Sequence, residues 1–222
     1  LVHLHTHPNN VEASLKRNPE VMTLGIDNDY EIFDGIDVVL CGPGLKDDEW
    51  SYGVYKQAIT INDKHALILD AGALRYLSKS YKDFQVTNRS LILTPHPGEA
   101  SMLLNVSIDE IQEDRSGAAK EISNKYNADV ILKGNKTIVC SKIDNRISLC
   151  NEGGPELATG GTGDILAGVI SAMVAQKLTP HDSCILSTAL HARAGKSFNE
   201  NVGEIGLNAS ALIPLIRNLL NK

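Results

Sequence analysis

Four short apolar runs constrain this chain more than any other feature: Val38–Cys41 (VVLC), Ala66–Leu69 (ALIL), Leu91–Leu93 (LIL) and Val130–Leu132 (VIL). They do not alternate polar with apolar, so each reads as a strand covered on both faces. Helical patterns stand before, between and after them, near 10–17, 47–61, 71–78, 97–105 and 108–126. Strand and helix in alternation predict a parallel sheet with helices on both faces, joined by right-handed crossovers. Two further strands are expected at Leu1–Thr6 and Val21–Leu24. Thr137–Ser141 and Arg146–Cys150, joined through Asp144-Asn145, read as an antiparallel hairpin at the sheet edge. Three helices close the chain, near 162–176, 180–199 and 207–220, and Thr179-Pro180 supplies a cap and first position for the second. Ser107-Ile108-Asp109-Glu110 is a capping box opening the helix near 108. The fold class expected is α/β, three layers with a mostly parallel central sheet and an antiparallel edge hairpin. No linker-like stretch or repeat divides the 222 residues, which read as one domain.

Each apolar run ends in glycine or polar residues. Gly42-Pro43-Gly44 follows the first, Asp70 the second, Thr94-Pro95-His96-Pro97-Gly98-Glu99 the third and Lys133-Gly134-Asn135-Lys136-Thr137 the fourth. In open α/β sheets ligands bind outside the carboxyl ends of the strands, so these clusters are expected along one rim. Prolines stiffen the His96 loop and put Glu99 in the first turn of the next helix. Glycines at 42 and 44 let backbone approach a substrate closely. The loop from Lys133 to Thr137 can wrap a phosphate or ribose, its lysine offering a point charge. Taken singly, each of these is also an ordinary turn.

The densest signal is NEGGPELATGGTGDILAGVI, residues 151–170. Gly160-Gly161-Thr162-Gly163 ends at Asp164, and an apolar helical pattern follows at once. The glycines let the turn close tightly, and the helix start offers unpaired N–H groups and the positive end of its dipole. Phosphate or a developing oxyanion is attracted there. Asp164 stands where it can take a proton from an attacking hydroxyl. An anion hole beside a base is what phosphoryl transfer needs. The plainer alternative is a strand-to-helix turn with a first-turn carboxylate.

Composition excludes some classes. The formal net charge is −6 and no basic run occurs, which argues against nucleic acid as a partner. No segment approaches the length of a spanning helix, so no membrane association is expected and a cytoplasmic location is. Cys41, Cys140, Cys150 and Cys184 lack paired spacing and read as reduced thiols. His3, His5 and His7 alternate but have no acidic or thiol partner nearby, so no metal-ligand set is expected. Trp50 and the Tyr52/Tyr55 pair read as helix-face packing.

On LTPHPGEASMLL, LKGNKTIV and NEGGPELATGGTGDILAGVI together, the chain resembles the ADP- or ATP-dependent NAD(P)H-hydrate dehydratases of the ribokinase-like superfamily. The resemblance covers nearly the whole chain. It implies a ribokinase-like αβα sandwich that regenerates NADH or NADPH from the S epimer of NADHX or NADPHX. The nucleotide, ADP in most bacterial members, phosphorylates the added hydroxyl, and phosphate leaves. It further implies Asp164 as base, with Gly161 and Gly163 in the anion hole. Gly44, His96 and Asp164 would contact the hydrated cofactor. Lys133, Gly134, Asn135, Lys136, Thr137 and Gly163 would line the nucleotide. Mg2+ is expected with the nucleotide, and the assembly is expected to be a homo-oligomer, often a tetramer.

Three departures stand out. The family begins with a strand and Gly-rich loop of which Leu1-Val2 resembles the tail, so a native beginning is expected to be missing. Asp70-Ala71-Gly72-Ala73-Leu74 replaces an Asp-Ala-Asp-Ala-Leu pattern, and Ala209-Ser210-Ala211 replaces Ala-Ser-Asp. Two other readings stay open: a small-molecule hydroxyl kinase of the same superfamily, and a non-catalytic nucleotide-binding subunit.

Overall fold

The computed structural model describes residues 1–27, 35–60, 64–80 and 89–221. A six-stranded sheet lies at the centre. Its strands are β3 (Val38–Cys41), β4 (Ala66–Leu69), β5 (Leu91–Leu93), β6 (Asp129–Leu132), β7 (Thr137–Cys140) and β8 (Ile147–Cys150), side by side in that order. The β3–β6 pairings are parallel; β6–β7 and β7–β8 are antiparallel. The four apolar runs are thus neighbouring parallel strands, and the hairpin forms the edge. A separate parallel pair, β1 (His3–Thr6) and β2 (Met22–Gly25), flanks α1 (Val11–Arg17). The first two expected strands therefore pair with each other and do not extend the main sheet.

Side-chain alternation divides the core. Leu67, Leu69, Leu91, Leu93, Val130 and Leu132 face α2 (Glu49–Thr60), α3 (Gly72–Lys79), α4 (Pro97–Leu104), α5 (Ile108–Glu113) and α6 (Arg115–Tyr126). Ile68, Ile92 and Ile131 point the other way, onto Leu166, Ile170 and Val174 of α7 (Thr162–Ala175) and Cys184 of α8 (Pro180–Asn201). Each parallel connection moves one strand along the sheet, which leaves all the intervening helices on one face. The last helix, α9 (Leu212–Leu220), packs on α8 through Leu212 and Ile216.

The helix expected over 108–126 is two. Asp114, at φ −135° and ψ 75°, ends α5 and caps α6, its carboxylate accepting from the Gly117 amide at 2.8 Å. The Ser107/Glu110 capping box is present. The helix expected from 207 begins at 212, after a 3-10 turn at Ala209–Ala211. Position 61, the end of the helix expected over 47–61, lies outside the described residues. Tyr52, Tyr55 and Tyr76 stack, and the Trp50 indole N–H donates to the Ile26 carbonyl, so these aromatics pack helices. His7 leaves the β1 strand; its ring accepts from Asn9 N–H and packs edge-on against Trp50.

The hairpin decides where the site lies. β7 runs away from the rim made by the carboxyl ends of β3–β6, and β8 runs back to it. Residues 151–161 then pass from that edge across to α7, whose apolar side packs on β3 and β4.

Candidate active site at the strand ends

The clusters predicted to share a rim are joined by hydrogen bonds and one ammonium group. Lys133, at the end of β6, sends Nζ to Asp70 Oδ1 at 2.7 Å, at the end of β4. The same Nζ lies 3.8 Å from Glu99 of α4. The Lys133 backbone N–H donates to the Pro95 carbonyl at 2.8 Å, tying in the His96 loop. Gly163 completes the circle: a Cβ built there would stand 3.3 Å from Lys133 Nζ.

Asp70 is 1% exposed. Its carbonyl oxygen would lie 1.7 Å from a Cβ at Gly42, whose φ is +132°, so only glycine permits this contact between β3 and β4 ends. The next residue, Ala71, has φ 48° and ψ −121°, and the Ala73 N–H donates to the Asp70 carbonyl at 3.1 Å. This is the first central position of a II′-type turn, which glycine normally fills. A non-glycine residue there stores strain of about 1–3 kcal/mol.

His96 caps α4. Its Nδ1 accepts from the Gly98 and Glu99 amides at 3.0 and 3.2 Å, and Glu99 Oε2 accepts from the His96 N–H at 2.8 Å. Nδ1 is committed to the helix, so neutral His96 carries its proton on Nε2. The ring stays half exposed, with Nε2 3.4 Å from Glu99 Oε1.

Gly161, at φ +90°, caps α7, and Asp164 sits in the helix's first turn. Asp164 keeps an open side to solvent. Loss of water on its inner side, then the negative charge of Asp70, push its carboxyl above the usual range, and Lys133 partly offsets them. A carboxylate raised in this way is a better proton acceptor than a free one.

The 133–137 loop has Gly134 at φ +141° and Lys136 at φ 58°, with Thr137 Oγ1 donating to Gly134 O at 3.1 Å. The Lys133 side chain does not join this loop but turns toward Asp70. Gly44, at φ +80°, has open space around its Cβ position.

Sequence reading missed two residues. Arg115 of α6 donates to the Leu132 and Lys133 carbonyls at 3.2 and 3.4 Å, bracing the start of the 133–137 loop. His191 of α8 is 9% exposed, and its Nε2 donates to the Thr162 carbonyl at 2.9 Å. Burial lowers its pKa, so it is held as the neutral donor behind the α7 first turn. Both lie far along the chain from the loops they support, with no local motif to mark them. The 151–161 segment and α8 also line a hollow of about 240 Å³ through Asn151, Gly153, Glu156 and Asn199. None of His96, Lys133 or Asp164 borders it.

A mostly parallel sheet between helical layers, its strand ends gathered around a glycine-lined helix start, gives this chain a ribokinase-like fold. The same fold recurs in a ribokinase-like protein of Enterococcus faecalis (TM-score 0.81, 22% identity, 100% of this chain and 77% of that one). The chain belongs to the NAD(P)H-hydrate dehydratase family, whose family model matches residues 1–218. It is 35% identical over 221 residues to the bifunctional NAD(P)H-hydrate repair enzyme Nnr of Vibrio cholerae, covering 97% of this chain and 43% of that protein. It is 34% identical to the ADP-dependent (S)-NAD(P)H-hydrate dehydratase of Neisseria meningitidis, over 84% of this chain and 64% of that one. The Bacillus subtilis ADP/ATP-dependent NAD(P)H-hydrate dehydratase, co-crystallised with ATP and Mg2+, superposes with TM-score 0.87 at 26% identity, over 99% of this chain and 80% of that one. The chain thus spans less than half the length of the bifunctional relative.

Proposed function

We propose that the protein dehydrates the S epimer of NADHX or NADPHX to NADH or NADPH at the expense of ADP or ATP. Asp164 beside the glycine-lined start of α7, with its proton affinity raised, is the observation that carries this reading. Water leaves carbon poorly and phosphate leaves well, so the added hydroxyl is first phosphorylated. Asp164 accepts the hydroxyl proton as oxygen attacks the terminal phosphorus and AMP leaves from ADP, or ADP from ATP. Phosphate then departs with its C–O bond as the neighbouring ring carbon gives up a proton, restoring the double bond. The amides around Gly161 and Gly163 and the dipole of α7 stabilise the charge on the transferring group. His96 and the open backbone at Gly44 would hold the hydrated ring. Backbone and side chains of Lys133, Gly134, Asn135, Lys136 and Thr137 would hold the nucleotide, with Lys133 reaching the phosphoryl group from the Asp70 side. All of these residues would belong to a single ribokinase-like domain.

Among the described residues no three His, Cys, Asp or Glu side chains converge as a metal site. Mg2+ would enter with the nucleotide, where the ion would offset phosphate charge. Four free cysteines, three of them buried, suit a reducing cytoplasm, and no helix among the described residues is long and apolar enough to cross a membrane. Family habit adds a homo-oligomer.

The test is NADH formation from freshly prepared NADHX with ADP or ATP. Asp164→Asn should lower turnover about a hundredfold to ten-thousandfold, the usual range for losing a general base, with nucleotide binding retained. Full activity in that variant removes Asp164 from the chemistry. A stable phosphorylated product with no NADH would instead assign the protein as a kinase.

A further inference from the structure

We propose that Asp70 is a positioning residue: its buried carboxylate holds the Lys133 ammonium beneath the first turn of α7, and so sets the charge that Asp164 and a transferring phosphoryl group meet. The proposal deepens the function given above and rests on it for the identity of the reaction.

Three observations support it. The Asp70–Lys133 pair, at 2.7 Å, is a poor means of stabilising a fold, because removing two charges from water costs about what their attraction returns. The fold nonetheless commits strained backbone to it. Ala71 sits in a glycine conformation immediately after Asp70, and Gly42 admits the Asp70 carbonyl at a distance no side chain tolerates. Finally, Lys133 lies in the strand-end loop that reads as a nucleotide site, yet its ammonium points at Asp70 and Gly163. A lysine without such a partner would follow the phosphates of whatever bound; the buried Asp70 carboxylate, 2.7 Å away, ties this ammonium to one place beside Gly163. Pre-placed charge is what lowers a barrier, since nothing need reorganise as phosphorus moves.

The charged groups facing Asp164 are Asp70, just past the end of β4, which raises its proton affinity, and Lys133, just past the end of β6, which lowers it. Glu99 from α4 acts through Lys133. Removing the Asp70 charge therefore withdraws repulsion from Asp164 and frees Lys133 to neutralise it. Both changes act in one direction.

The experiment compares the parent protein with Asp70→Asn and Lys133→Met. Carboxyl carbon NMR follows the titration of Asp164 without needing any activity. In Asp70→Asn the Asp164 midpoint should fall by about half a unit to one unit, and in Lys133→Met it should rise by a similar amount, as neighbouring charges displace carboxyl pKa values. With NADHX and ADP, the acid limb of the kcat/KM profile should follow the Asp70→Asn shift. Its kcat should drop about tenfold while KM for nucleotide changes less than about threefold, the pattern of an interaction expressed in the transition state. In the parent, the Lys133 ammonium should give a resolved, slowly exchanging nitrogen resonance, which covers the case of a variant that does not fold. An unmoved Asp164 midpoint in a folded Asp70→Asn protein, or a freely exchanging Lys133 ammonium in the parent, overturns the proposal. Absence of NADHX turnover in the parent would instead overturn the proposed function and leave the titration result standing by itself.

Discussion

Ala71 shows what the rim demands of single residues. Its φ of 48° is a conformation that costs alanine free energy and glycine almost none. Ala71→Gly should therefore raise unfolding stability by about 1 kcal/mol, net of the freedom glycine adds to the unfolded chain, as read in urea titrations. Gly42→Ala should do the reverse and cost about 3 kcal/mol or more, because the new Cβ meets the Asp70 carbonyl at 1.7 Å and φ is +132°. Asp164 makes a third case. Its carboxyl titrates above the usual range, so the folded protein binds that proton more readily than the unfolded chain does. Its stabilising contribution is thus present in acid and lost as pH rises through the folded value. Asp164→Asn should unfold at a higher temperature than the parent near neutrality, and the difference should vanish below about pH 4, where the unfolded carboxyl is protonated too. The sequence marked His96, Lys133 and Asp164 because each stands at the end of an apolar run or glycine turn. It did not mark Arg115 or His191, whose service depends on distances through space between distant parts of the chain.

At the scale of elements, pattern and structure agree where apolar runs are continuous and part where one polar residue intervenes. Val38–Cys41, Ala66–Leu69 and Leu91–Leu93 form strands with the bounds read from sequence. The break between α5 and α6 was hidden because helical periodicity runs through it; only the Asp114 backbone reveals two helices. That aspartate ends one helix, caps the next and immediately precedes Arg115, which holds the β6 strand end. Asp114→Ala should cost about 1 kcal/mol, the usual loss for a missing helix cap. Chemical denaturation would register it, and a stability unchanged from the parent would show that the cap contributes nothing.

Across the whole molecule, order should be uneven. Central strands β4 and β5 are wholly buried, whereas neither β1 nor β2 contains a buried residue. An isolated strand pair has little to hold it closed. Hydrogen exchange should find amides of β1 and β2 exchanging at least about a hundredfold faster than those of β4 and β5, as expected for units that open without global unfolding. The alternation of apolar runs and helices carried the layer architecture, but sequence could not say that the first two strands keep to themselves, since pairing partners are chosen by packing. The segment 151–161 gives the molecule its last property. It belongs to the outer margin of the sheet, where Glu152 grips Arg193 and Lys196, yet it delivers a helix to the opposite half. The segment is a tendon by connectivity: it ties that margin to the tip that bears Asp164, so a lesion at Glu152 is expected to reach the carboxylate through the chain itself.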